Sequence, residues 1–348
     1  MDSVVPTFQL PKILSLDGGG VRCLSSLLIL ENIMERIRDV ANLAEIPRPC
    51  EIFDLIGGSG AGGIIAIMLG RLGMSIGDCI EAYKNLAETA FNPKRPRFIL
   101  PSGAFSAARL EHSIKQTIRE NCLESTCVEQ RKTSGPTTHT CPHEDVSFHD
   151  ISCTKTAILA ITKANVETLP TLFTTYDTSS SLSGSKVWEV ARATSADVAF
   201  FKPIRVGRDQ IEFVDASFGY SNPCEDIIIE AEKQFPGQQM VILSIGTGLG
   251  DVVPIGDTKD SAIAALKDVI ASSKAPALRL EKKYKNTGEY YRFSVENGLR
   301  DISLLDSDKM STISAHARNY LIENEDEIRD FVEVLTNRVP PAPTNPGG

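Results

Sequence analysis

The 348-residue sequence has no unbroken run of about eighteen apolar residues, so no helix spanning a bilayer is expected. It also lacks an excess of positive charge: 36 Lys and Arg stand against 45 Asp and Glu, giving a formal net charge of -9. That balance argues against a dedicated nucleic-acid binder and against general adsorption to anionic lipid. The opening stretch from Met1 to Pro11 has neither a basic nor an apolar region. No signal peptide is therefore expected, and the chain reads as cytoplasmic. Histidines are few, at 112, 139, 143, 149 and 316, and they form no visible catalytic triad. No internal repeat and no independent linker divide the chain. Residues 10–330 read as one domain, with a polar, turn-rich surface excursion at 121–150 and a flexible tail at 338–348.

Cysteine is present, at 23, 50, 79, 122, 127, 141, 153 and 224. A chain this long folds without staples, and in a reducing compartment these thiols stay mostly free. Cys122, Cys127, Cys141 and His143 are metal-ligating residue types. They are separated by four, thirteen and one residues, which matches no compact ligand knuckle, so no metal is expected. No cofactor is expected either.

What is present is an α/β pattern. Lys12–Leu16 reads as a strand, followed by Asp17-Gly18-Gly19-Gly20-Val21-Arg22 and a long helix from Leu24 to about residue 41. Pro47 and Pro49 then break the chain before a second strand at Ile52–Ile56. A Gly cluster, Gly57 to Gly63, and a buried helix from Ile64 follow. Further helices are expected at 75–90 and 104–120, with a Pro-marked loop at Pro93, Pro96 and Pro101 between them. Strands are expected at Lys155–Ile161, Phe173–Tyr176, Ile211–Asp215, Gln239–Ile245 and Tyr290–Val295, with helices at 187–193, from Asn222, at 260–272 and at 310–337. The alternation predicts a mainly parallel sheet between helices.

Three features end predicted strands on loops: Asp17 to Arg22, Gly57 to Gly63, and Asp215. In α/β sheets ligands bind beyond the carboxyl ends of the strands, so the three can share one cleft. Gly18, Gly19 and Gly20 precede a helix and can turn backbone amides toward a phosphate or an oxyanion. The plainer alternative is a tight strand-to-helix turn. Arg22 can steer an anionic headgroup or simply close the loop by an ion pair. Gly58-Ser59-Gly60-Ala61-Gly62-Gly63 fits a dinucleotide fingerprint, although no acidic strand end follows about 20 residues later. It also fits a nucleophile elbow.

Taken together, Asp17-Gly-Gly-Gly-Val-Arg22, the elbow region, Ala191-Arg-Ala-Thr-Ser-Ala196 and Val214-Asp215-Ala216 resemble the patatin-like phospholipases. The chain resembles their intracellular fungal branch, which is itself similar to the calcium-independent phospholipases A2, over roughly residues 10 to 325. The resemblance implies a three-layer α/β/α fold and a metal-free Ser-Asp dyad cleaving acyl esters of phospholipids or other glycerolipids. Gly18 to Gly20 would be its oxyanion hole and Asp215 its acid. It implies a lipid or other hydrophobic substrate and peripheral contact with a membrane. The family pattern Gly-Thr-Ser-Thr-Gly-Gly, laid ungapped on this chain, puts the nucleophile on Gly60, which has no side chain. Ser59 is the stand-in nucleophile, one residue early on the turn. Cys23, at the start of the first helix, reads as a packed residue. Three readings stay open: a lipid acyl hydrolase, a catalytically dead lipid binder, and a protein using Asp215 for other acid-base chemistry.

Overall fold

The computed structural model describes residues 10–90, 106–122, 124–134, 141–177, 181–198, 200–216, 218–248, 258–270, 272–299 and 302–336. The expected loop around Pro93–Pro101 and the tail at 338–348 lie outside these residues. Eight strands are described: β1 (Lys12–Leu16), β2 (Leu55–Ser59), β3 (Lys155–Thr162), β4 (Thr171–Thr174), β5 (Ile204–Val206), β6 (Ile211–Val214), β7 (Val241–Ile245) and β8 (Tyr290–Phe293). They form one sheet ordered β5-β6-β3-β2-β1-β7-β8, with β4 also paired to β3. The run β3-β2-β1-β7-β8 is parallel throughout. β4 and β6 run antiparallel to β3, and β5 antiparallel to β6.

The helices are α1 (Cys23–Ala41), α2 (Pro49–Ile52), α3 (Gly60–Ala66), α4 (Ile76–Ala90), α5 (Ala107–Glu120), α6 (Ser125–Ser134), α7 (Val187–Thr194), α8 (Cys224–Gln234), α9 (Lys259–Ile270), α10 (Lys274–Lys283), α11 (Met310–Glu323) and α12 (Glu325–Thr336). Period-2 alternation sorts them onto the two faces of the sheet. Leu14 and Leu16 of β1 point into the larger core, with α1, α3, α4, α5, α7, α11 and α12. Ile13 points the other way, to a smaller core built on Ile227 and Ile228 of α8 and Leu280 of α10. The result is the expected α/β/α arrangement around a mainly parallel sheet.

The second strand lies three residues later than expected. Pro49 opens the one-turn helix α2, where its fixed φ suits a first helical position, and β2 then runs through Gly57 and Gly58. These glycines do not look like strand formers. Their place is set by packing: a Cβ on Gly57 would come within 2.2 Å of Ile227 Cδ1, so α8 could not reach the strand past any larger residue. The excursion after residue 121 carries α6 and a short 3-10 turn at Pro142–Asp145.

Candidate active site

β1 delivers the first glycine loop. Asp17 is buried and faces the sheet rather than a ligand. Its carboxylate pairs with Arg292 of β8, Oδ2 to Nη2 at 2.6 Å and Oδ1 to Nη1 at 3.4 Å. Arg292 also donates to Ser244 Oγ at 2.6 Å. Burial pushes the Asp17 carboxyl up, and the guanidinium opposes that shift. Beyond it, the Gly18 amide donates to the Ser221 carbonyl at 2.8 Å, while the Gly18 carbonyl accepts from Thr247 Oγ1 at 3.0 Å. Gly20 has φ +53, and a Cβ there would meet the Leu304 carbonyl at 2.3 Å, so both backbone and space demand glycine.

β2 delivers the second loop. Ser59 ends the strand and Gly60 begins α3 with φ +56. The Gly60 amide donates to Thr194 Oγ1 at 2.9 Å, and the Thr194 hydroxyl donates onward to the Leu159 carbonyl of β3 at 2.6 Å. Thr194 thereby pins the turn to the sheet from α7. A Cβ built on Gly60 would lie 3.3 and 3.4 Å from the two carboxylate oxygens of Asp215 and 3.6 Å from the Gly18 Cα. Ser59 is 1% exposed and its hydroxyl donates to the Ser221 carbonyl at 3.3 Å. Gly62 packs against the Asp17 carbonyl, Gly63 against Thr194, and Gly58 against the Gly62 carbonyl. These contacts nest the two loops against each other.

Asp215 arrives from the antiparallel side of the sheet, directly after β6. Its amide donates to the Ala196 carbonyl at 3.1 Å, tying it to the end of α7. The three strand-end features that sequence placed nearly 200 residues apart therefore share one cleft. Gly18, Gly19, Gly20, Arg22, Ser59, Gly60 and Asp215 line its floor. Ile64, Tyr83, Leu86, Leu110, Phe200, Phe201, Leu304 and Leu305 make mostly apolar walls, and the cleft with its open mouth encloses about 950 Å³. The Tyr83 hydroxyl donates to the Gly20 carbonyl. Among the described residues, no histidine lines the cleft.

Cys23 sits behind this loop, fully buried, with Sγ donating to the Asp17 carbonyl at 3.5 Å. Burial pushes its thiol up to about 12, so no thiolate is held there near neutral pH. Thr194, Ser221, Thr247 and Arg292 also shape the site, and the sequence reading assigned them no role. Thr194 carried a signal, by lying inside the Ala191–Ala196 motif.

The chemical capacity of this cleft follows from its parts: mostly apolar walls, and a floor of glycine backbone beside a carboxylate. The patatin-like phospholipase family profile matches residues 14–228 of the chain. A probable inactive patatin-3-Kuras 1 of Solanum tuberosum is 24% identical over 69% of this chain and 63% of its own length. Calcium-independent phospholipase A2-gamma of Rattus norvegicus is 23% identical over 93% of this chain and 40% of its own. Phospholipase A I of Arabidopsis thaliana is 37% identical over 26% of this chain and 6% of its own. The chain thus spans less than two thirds of the length of each of these relatives. With the profile covering more than half of the sequence and the loops, sheet and cleft in place, the chain belongs to the patatin-like phospholipase family.

Proposed function

We propose that the cleft binds an acyl lipid, and that the chain does not cleave it through the family's Ser-Asp dyad because Gly60 occupies the nucleophile position. The observation that carries this reading is the geometry of residue 60. It sits at a strand-to-helix turn with positive φ, and its Cβ direction points at the Asp215 carboxylate 3.3 Å away. A nucleophile elbow asks for a strained turn of this kind, with the side chain exposed over the sheet. A serine there would have its hydroxyl one bond beyond that Cβ, beside Asp215. Ser59 points elsewhere, to the Ser221 carbonyl, and a displacement of about 1 Å already costs roughly 10²-fold in rate.

The binding half of the reading rests on the walls and the floor. Burial of a hydrocarbon chain against Leu86, Leu110, Phe200 and Leu305 supplies the affinity, at about 25 cal/mol per Å² of apolar surface removed from water. The Gly18 amide is already committed to Ser221, so the Gly19 and Gly20 amides are the loop donors we assign to the ester carbonyl. The family's name and its curated relatives agree with a lipid as the ligand class.

The test is a gain of function. Gly60→Ser is expected to hydrolyse a short-chain nitrophenyl ester or a phospholipid well above the wild-type background, and adding Asp215→Asn is expected to remove the gain. Wild type is expected to retain a fluorescent acyl lipid without turning it over. Robust wild-type hydrolysis that disappears in Ser59→Ala, with Ser59 labelled by an active-site phosphonate, would overturn the reading.

A further inference from the structure

At the C-terminal end of α5, the end away from the cleft residue Leu110, three thiols and an imidazole converge. Cys122 follows α5, Cys127 lies in the first turn of α6, and Cys141 and His143 flank Pro142 at the turn Pro142–Asp145. His143 Nδ1 is 3.4 Å from Cys122 Sγ, 3.4 Å from Cys127 Sγ and 3.5 Å from Cys141 Sγ. The Cys127 and Cys141 sulfurs are 3.6 Å apart, and all four ligand atoms lie within 4.8 Å of one another. A tetrahedral zinc with Zn–S of about 2.3 Å and Zn–N of about 2.0 Å needs S–S edges near ~3.7 Å and S–N edges near ~3.5 Å. Four of the six edges match that tetrahedron within about 0.2 Å and the other two, from Cys122 Sγ to the other sulfurs, are no longer than 4.8 Å; none of these cysteines is in a disulfide.

A second observation is independent of the distances. α6 has ten residues, yet Cys127 is its only buried side chain among those described. The three buried cysteines form a cluster of their own, apart from both sheet cores. A polar helix this short does not hold itself together in water, and one buried thiol supplies too little apolar area to dock it. Something other than a hydrophobic face must hold α6 in place.

We infer that Cys122, Cys127, Cys141 and His143 form a structural zinc site that staples α6 and the Pro142–Asp145 turn to the end of α5. On binding, Zn²⁺ displaces three thiol protons, leaving three thiolates and a neutral imidazole with one net negative charge. Four protein ligands leave no open position, which makes the site structural and not catalytic. Outer contacts fit that role. The His143 amide donates to Cys141 Sγ at 3.4 Å, as expected for an oriented thiolate ligand. Arg131 brings positive charge close by, donating to the Cys122 carbonyl and, at 3.2 Å, to the Arg119 carbonyl. Arg119 in turn pairs with Glu144. The turn also reaches α7, because Asp145 accepts from Trp188 Nε1 at 2.8 Å and pairs with Lys186 at 3.1 Å. The separations of four, thirteen and one residues do not form a local knuckle. The fold closes the gap by bringing α6 back so that the turn meets the start of that helix.

The full chain, purified under reducing conditions, is expected to carry about one zinc per molecule by elemental mass spectrometry. Replacement with Co²⁺ is expected to give the intense visible absorption of a tetrahedral thiolate site. Cys127→Ser and Cys141→Ser are each expected to lose the metal, while Cys50→Ser and Cys153→Ser keep it. A chelator should lower the melting temperature of wild type and leave that of Cys127→Ser unchanged. Should the ligand variants fail to fold, the zinc content and cobalt spectrum of wild type still decide. Zinc below a tenth of an equivalent with no cobalt band overturns the inference. So does a Cys127–Cys141 disulfide found by mass spectrometry in the protein as purified, before any chelator is added. Neither outcome bears on lipid binding in the cleft.

Discussion

At residue 60 the difference between glycine and serine is one hydroxymethyl group, and the residues that hold the turn are all present. Thr194 is the one that sequence logic alone undervalues. It accepts from the Gly60 amide and donates to Leu159, so one side chain satisfies a buried N–H at the turn and a carbonyl in β3. Thr194→Val keeps the shape and removes both bonds. It is expected to destabilise the fold by about 1–3 kcal/mol, the cost of leaving such buried groups unsatisfied, and to weaken acyl-lipid binding. Thr194→Ser should restore most of the loss, and chemical denaturation of the three proteins measures it. The glycines and Asp215 were legible because they stand in order along the chain and end predicted strands. Which hydroxyl points where was not legible, because the direction of Ser59 depends on Ser221, some 160 residues away in sequence. The clustering of Cys122, Cys127, Cys141 and His143 was hidden for another reason: their spacing forms no local knuckle, and only the packing of α5, α6 and the Pro142–Asp145 turn brings them together.

Among elements, β1, β3 and β7 were readable as apolar runs, since strands covered on both faces show no alternation. β2 was displaced because its glycines answer to α8 and not to strand propensity. The link between β8 and β1 was not readable at all. Arg292 reaches across β7 to Asp17, and the pair is almost fully shielded, with side chains 5% and 0% exposed. Arg292→Met leaves the Asp17 carboxylate buried without its partner, a change expected to cost about 3–5 kcal/mol. The double variant Asp17→Asn/Arg292→Met should recover a good part of that, as a double-mutant cycle on thermal melts will read; a simple sum of the two losses would mean that the pair is not coupled.

α8 offers a pH-dependent case at its first turn. Burial, with Glu225 alongside, pushes the Asp226 carboxyl up to about 6 from its usual 3.8. A raised folded-state value means that the group costs nothing below about pH 4 and weakens the fold as it ionises through about pH 6. Here desolvation outweighs the favourable helix dipole. Asp226→Asn is therefore expected to melt with the wild type at pH 4 and above it at pH 7, and a difference that grows toward low pH would contradict this.

For the whole molecule, the extent of the family match and the extent of the sheet differ. The match covers residues 14–228, which takes in the later part of β1, all of β2 to β6 and only the start of α8. β7 and β8 lie beyond it, yet β7 pairs with β1 over all five residues of that strand, Lys12 to Leu16. Without β7, β1 becomes an open edge in the middle of what is a buried parallel sheet, with its Gly loop exposed on that side. The face of α1 that packs against α11 and α12 would open as well. The Asp17 carboxylate would lose Arg292 at the same time. A fragment of residues 10–230 is therefore expected to aggregate or stay unfolded, whereas 10–336 is expected to unfold in one cooperative transition. Far-UV circular dichroism and size-exclusion chromatography of both fragments separate the cases. A soluble, native-like 10–230 fragment would mean that the site is built by the matched segment alone, with β7, β8 and the last two helices added to a domain already complete.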